Sequence, residues 1–124
     1  MTGGSKPLVL VVDDEAAIRL LCRINLELDG YAVAEASTLD EARAILASSP
    51  VAAVLLDLHL GRTLGTDLIP DCAACEPRIP VALLTGLADD ESTRNHGADA
   101  VLPKPFETAL LAATVERLTS APGR

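Results

Sequence analysis

Residues 8–15 read Leu8-Val9-Leu10-Val11-Val12-Asp13-Asp14-Glu15, a continuous apolar run that ends abruptly in acids. A strand with one wet face would alternate apolar and polar side chains. Unbroken apolar residues instead fit a strand covered on both faces, as in a parallel sheet. The same pattern returns along the chain. Val51-Ala52-Ala53-Val54-Leu55-Leu56 leads into Asp57, Pro80-Val81-Ala82-Leu83-Leu84 into Thr85-Gly86, and Ala100-Val101-Leu102 into Pro103-Lys104. Tyr31-Ala32-Val33-Ala34-Glu35 supplies one further short strand.

Helical patterns separate these runs. From Glu15 to about Asp29, Ile18, Leu21, Cys22, Leu26 and Leu28 recur at helical spacing, and Gly30 follows as a stop. Thr38-Leu39-Asp40-Glu41 is a capping box, in which the Thr hydroxyl and Glu carboxylate reciprocally satisfy backbone amides at a helix start. Leu39, Ala42, Ile45 and Leu46 give that helix its apolar face. A third helix is expected over roughly Gly65 to Cys75, and a last one from Phe106 to Leu118 with Phe106, Leu110, Ala113 and Leu118 inward. Strand and helix thus alternate five times, the sign of a parallel α/β sheet wrapped by helices on both faces. Five strands are too few for a closed eight-stranded barrel, which leaves an open, doubly wound sheet.

Composition narrows the function. A chain of 124 residues suits one domain, and with Tyr31 and Phe106 its only aromatic residues, the core must be built from Leu, Val, Ile and Ala. Ten basic against eighteen acidic residues give a net charge of −8, which repels a phosphate backbone and argues against direct nucleic-acid binding. The start MTGGSKP lacks the apolar stretch of a secretory signal, and no run approaches the roughly 20 apolar residues of a membrane span, so no membrane insertion and a cytoplasmic location are expected. Cys22, Cys72 and Cys75 do not make an even disulfide set, and although Cys72-Ala-Ala-Cys75 matches the spacing of a redox pair, it falls late in an expected helix rather than at a helix N-terminus, so the pair reads as structural or incidental.

In open α/β sheets, ligands bind beyond the carboxyl ends of the strands. That rule selects Asp13 and Asp14 from the first strand, Asp57 from the third, Thr85 from the fourth and Lys104 from the fifth. Each alone has an ordinary structural reading, as a helix cap, a turn or a solvated charge. Together they place three carboxylates, a hydroxyl and an ammonium on one edge. Crowded carboxylates repel unless they share a cation, and a hard, oxygen-rich set suits Mg²⁺. An Asp beside Mg²⁺ can attack a phosphoryl group to form an acyl phosphate, with the cation and a positioned ammonium stabilising the transferring oxygens.

The motifs VVDDE at 11–15, LLDLHL at 55–60 with Gly65 beyond it, LLTG at 83–86 and GADAVLPKPF at 97–106 resemble the receiver domain of two-component response regulators over almost the whole chain. The resemblance implies a flavodoxin-like sheet of order 2-1-3-4-5 in a receiver domain spanning 8–118, with an N-terminal tail at 1–7 and a C-terminal tail or linker stub at 119–124. It implies that Asp57 is the phosphoacceptor, and that Asp13, Asp14, Asp57 and the backbone carbonyl of His59 hold Mg²⁺. Lys104 would pair with the phosphoryl group, Thr85 would shift toward it, and the Lys104–Pro105 bond would be cis. The implied donor is a histidine kinase or a histidine phosphotransfer protein, with output through contacts with a downstream protein. If copies pair as a homodimer, the surface of the last two helices is the expected interface.

The departures from the family pattern are specific. Val101 stands where an aromatic switch residue is usual, Gly61 stands where many receivers carry Pro, and residues 88–96, ADDESTRNH, contain no large apolar side chain. A helix without a burial face is marginal, so the fourth helix is expected to be short or mobile. Thr85-Gly86 is similar to a subset of single-domain receivers with mobile fourth helices. His59 and Leu87 occupy positions that flank the phosphoryl group in receivers, whereas His96 reads as a surface residue. Two other classes compete with a phosphorylatable module: a pseudo-receiver that binds partners without phosphorylation, and a Mg²⁺-dependent phosphohydrolase with an aspartyl-phosphate intermediate. The phosphohydrolase usually has a D-x-D nucleophile on its first strand and a cap; here the acids are adjacent and no insertion is long enough for a cap.

Overall fold

A computed structural model describes residues 6–86 and 97–120. The helix expected over 88–96, with Leu87 and His96, lies outside the described residues, as do 1–5 and 121–124 of the two expected tails. The described elements are β1 (Leu8–Val12), α1 (Ala16–Leu28), β2 (Ala32–Ala36), α2 (Leu39–Ser48), β3 (Val51–Asp57), β4 (His59–Leu60), β5 (Thr63–Leu64), a 3-10 turn (Gly65–Leu68), α3 (Ile69–Ala73), β6 (Val81–Thr85), β7 (Ala100–Pro103) and α4 (Thr108–Ser120).

Five strands form one parallel sheet in the order β2-β1-β3-β6-β7, which is the expected 2-1-3-4-5 once the small β4–β5 hairpin is set aside. The alternation of side chains along each strand divides the core into two layers. Leu10, Val12, Val54, Leu56, Val81 and Leu83 face α2 and α3, where they meet Ala42, Ile69 and Cys72. Val9, Val11, Ala53, Leu55, Ala82 and Leu84 face α1 and α4, where they meet Cys22, Leu26, Leu111, Val115 and Leu118. Each fully buried Leu or Val contributes about 1.5–3 kcal/mol through removal from water. Apolar side chains on both faces are what make the strand sequences continuous rather than alternating.

The capping pattern at α2 forms with one change of partner. Thr38 Oγ1 accepts from the Glu41 amide at 3.1 Å, while Glu41 Oε1 accepts from the amide and hydroxyl of Ser37, one residue upstream of the cap. The third helix begins as a 3-10 turn and is α-helical only over five residues. The last helix starts two residues later than expected, and its buried side is Leu111, Thr114, Val115 and Leu118. Leu110 is 43% exposed and Ala113 is exposed too, a correction to the expected inward set. Successive helical residues are about 100° apart, so a face anchored on Leu110 differs from the observed one, anchored on Leu111, by one position of rotation. Phe106 packs against the same layer from just before the helix. Leu21 and Leu28 of α1 likewise point outward, and Ile18, Cys22 and Leu26 carry the packing.

All three cysteines are free. Burial pushes the thiols of Cys22 and Cys72 up to about 12, which leaves them without the thiolate that redox chemistry needs. Among the described residues no helix is long and apolar enough to cross a membrane.

Candidate functional site

The parallel register carries the polar residues to one edge. Asp13 follows β1 directly, Asp57 is the last residue of β3, paired with Leu84 of β6, and Thr85 ends β6 opposite Pro103 of β7. The amide of Lys104 donates to the Thr85 carbonyl at 2.8 Å, which fixes the chain where the lysine leaves the sheet. The Lys104–Pro105 bond is cis. Asp13, Asp14, Asp57, Thr85 and Lys104 therefore assemble from four strand ends.

Asp13 and Asp14 are neighbours in sequence with opposite environments: Asp13 is fully buried and Asp14 is exposed. Asp13 Oδ1 accepts from the Glu15 amide at 2.9 Å, and its backbone carbonyl accepts from Arg19 Nη1 at 2.7 Å. Its Oδ2 faces Lys104 Nζ at 3.0 Å but receives no hydrogen bond of proper direction. The same Nζ lies 3.3 Å from Asp57 Oδ1 and 3.7 Å from Glu15 Oε1, the latter on a largely exposed side chain.

Burial, followed by the charge of Asp13, holds the Asp57 carboxyl above the usual range, although Lys104 and the His59 amide pull the other way. For Lys104, burial alone would lower the ammonium, but close contact with the carboxylates of Asp13 and Asp57 outweighs it and holds the group above its ordinary value. The physical picture is an acidic pair that tolerates its shared burial through one ammonium. Oxygens of Asp13, Asp14 and Asp57 lie within 4.8 Å of one another. This all-oxygen set, with one buried oxygen lacking a directed donor, fits a hard divalent cation and not a soft one. The backbone of His59 helps lower the Asp57 carboxyl, while the His59 side chain is exposed.

Gly65 is required by this geometry. A Cβ built there would overlap the Asp57 backbone carbonyl oxygen, and the Gly65 amide donates to the Leu58 carbonyl at 2.7 Å. Two supports escaped the sequence reading. Arg19 braces the Asp13 carbonyl and is itself held by Glu35 at 3.0 Å, whose other oxygen binds Arg23 at 2.6 Å. Gly61, noted only as a substitution for Pro, donates its amide to Asp14 Oδ2 at 2.9 Å. Helical spacing pairs Arg19 with Arg23, but their meeting with Glu35 depends on β2 lying beside β1, for which the local sequence has no signal.

Comparison with known proteins agrees with this architecture. The family model for the response regulator receiver domain matches residues 9–116. The response regulator MprA of Mycolicibacterium vanbaalenii is 35% identical over 114 residues, covering 89% of this chain and 49% of that protein. The transcriptional regulatory protein KdpE of Mycobacterium tuberculosis is 38% identical over 120 residues, covering 92% and 53%. The chain thus spans about half the length of the curated relatives it matches. A CheY-like response regulator receiver domain protein from Methanospirillum hungatei superimposes with a TM-score of 0.81 at 32% identity, over 92% of this chain and 94% of that one.

Proposed function

The chain belongs to the response regulator receiver domain family, a signalling module of two-component systems, and on that premise we propose that it accepts a phosphoryl group on Asp57. The observation that carries this reading is the position of Asp57: buried at a strand end, 3.3 Å from the Lys104 ammonium and within 4.8 Å of two further carboxylates. A carboxylate so placed is a shielded nucleophile with a fixed positive charge beside it.

In the proposed reaction an Asp57 carboxylate oxygen forms a bond to phosphorus as the P–N bond of a phosphohistidine donor breaks. The donor imidazole leaves and an acyl phosphate remains. Lys104 stays beside the transferred group and offsets the charge on its oxygens. Asp13, Asp14, Asp57 and the His59 carbonyl would hold Mg²⁺, which when bound neutralises the phosphoryl oxygens and orients them for in-line transfer. Thr85, buried at the end of β6, offers a hydroxyl to one of the same oxygens. The donor is a histidine kinase or a histidine phosphotransfer protein, the response passes to a downstream protein, and the setting is the cytoplasm. The chemistry is self-phosphorylation and self-dephosphorylation, without turnover of an external substrate.

The test is incubation with a small-molecule phosphodonor and Mg²⁺, followed by intact-mass analysis. A single hydroxylamine-labile phosphoryl group that disappears in Asp57→Asn is the expected result. A folded protein that never acquires the group would make the chain a phosphorylation-independent interaction module instead.

A further inference from the structure

Gly61 and Arg62 form the two-residue loop of the β4–β5 hairpin, which pairs His59 with Leu64 and Leu60 with Thr63. Gly61 has φ +58°, and among the described residues no non-glycine has positive φ, so the loop has the pattern of a II′ turn with glycine first. Thr63 Oγ1 donates to the Leu60 carbonyl at 2.9 Å and closes the loop from its other side. Leu60 is only 4% exposed and anchors the hairpin in the core. The hairpin is a braced element with a buried foot.

One amide of this short segment reaches the acidic cluster. The Gly61 amide donates to Asp14 Oδ2 at 2.9 Å. Asp14 is exposed, and one of its carboxylate oxygens lies within 4.8 Å of oxygens of Asp13 and Asp57. An exposed aspartate on its own would sample several rotamers; one oxygen tethered to a braced backbone amide removes most of that freedom. Proline at this position would delete the donor and fix φ near −65°, incompatible with the observed turn.

We propose that Gly61 is a positioning residue for the acidic site, its amide tethering Asp14 so that the β4–β5 hairpin sets the spacing of the carboxylates that receive a divalent cation. This rests on the cation reading of the Asp13, Asp14 and Asp57 cluster. Hairpin and site are then coupled, with the cation stabilising the tether and the tether strengthening cation binding.

The test titrates Mg²⁺ by calorimetry into the unaltered protein, Gly61→Pro and Gly61→Asn, with no phosphodonor present. Asn keeps the N–H and tolerates positive φ, whereas Pro keeps neither. Gly61→Pro is expected to weaken Mg²⁺ binding about five-fold or more, and Gly61→Asn to stay within about two-fold of the unaltered protein. Equal affinity in all three proteins would overturn the tether while leaving the cation site intact. Failure of the unaltered protein to bind Mg²⁺ would overturn the cation reading and the tether with it. Should Gly61→Pro fail to fold, amide hydrogen exchange without cation decides. The Gly61 amide is expected to exchange about ten-fold faster in Asp14→Ala than in the unaltered chain, and an unchanged rate would refute the tether.

Discussion

Replacing Lys104 by Met keeps much of the aliphatic volume and deletes the one ammonium in the acidic cluster. Its Nζ lies 3.0 Å from Asp13 and 3.3 Å from Asp57, contacts worth about 5 kcal/mol each at an effective dielectric near 20. Glu15 at 3.7 Å adds little, because its side chain is 64% exposed and water screens it. Against this stands the cost of desolvating an ammonium that is 18% exposed, several kcal/mol, together with about 2 kcal/mol of lost side-chain freedom. The remainder is about 3 kcal/mol of destabilisation, or roughly 12 °C in Tm for a chain of this size. Thermal melts followed by circular dichroism in metal-free buffer at pH 7 measure it. Two further signatures separate this cause from poor packing of Met. Mg²⁺ should raise the Tm of the variant more than that of the unaltered protein, because added positive charge replaces what was lost. The deficit should also shrink toward pH 4. Lys104 pulls the raised Asp57 carboxyl back down in the fold, so its removal raises that group further, and the variant gains more stability than the unaltered protein as pH falls through the raised range. A variant melting within about 2 °C of the unaltered protein, or one insensitive to both Mg²⁺ and pH, would refute the reasoning.

Three other outcomes follow from particular contacts. Gly65→Ala should cost about 2 kcal/mol in urea unfolding and slow phosphoryl uptake, because its Cβ must displace the Asp57 carbonyl oxygen. Leu111→Ala should cost about 2–4 kcal/mol and Leu110→Ala less than about 1, since the first is fully buried and the second 43% exposed; equal costs would contradict the orientation of α4. Glu35→Gln should lose about 1 kcal/mol at pH 7 and progressively less at an acid pH below the usual glutamate range. Hydrogen bonding from Arg23, with a smaller part from Arg19, holds the Glu35 carboxyl below its usual range. Its stabilisation is therefore present above the unfolded value and lost as pH falls through the folded one. Urea titrations at the two pH values measure the difference.

Exposed Val101, where receivers usually place an aromatic switch, bears on the proposed output rather than on the proposed phosphoryl site. It pairs with Leu83 in the β6–β7 ladder, one residue before fully buried Leu102. A ring rotating between inward and outward positions is thus unavailable at 101.

The apolar runs ending at Asp13, Asp57, Thr85 and Lys104 were legible as strands because burial on both faces writes itself into every successive residue. Their common parallel direction sets which edge collects these polar residues. Local pattern could not reach further. It does not distinguish Asp13, which is buried against Lys104, from Asp14, which is exposed and tethered to Gly61, since both acids satisfy the same end-of-strand rule. Nor could it join Arg19 to Glu35, or aim α4 through Leu111 rather than Leu110, where one step along the helix rotates the side chain by about 100°. The sequence by itself determined the five strands of the main sheet, the helices described between them and the acidic edge, because these follow from continuous apolar runs and the 3.6-residue helical period, whereas the β4–β5 hairpin leaves no such pattern. Tertiary structure alone decided which carboxylate is buried, which amide holds which oxygen and which helix face packs, because those depend on distances between segments that are remote along the chain.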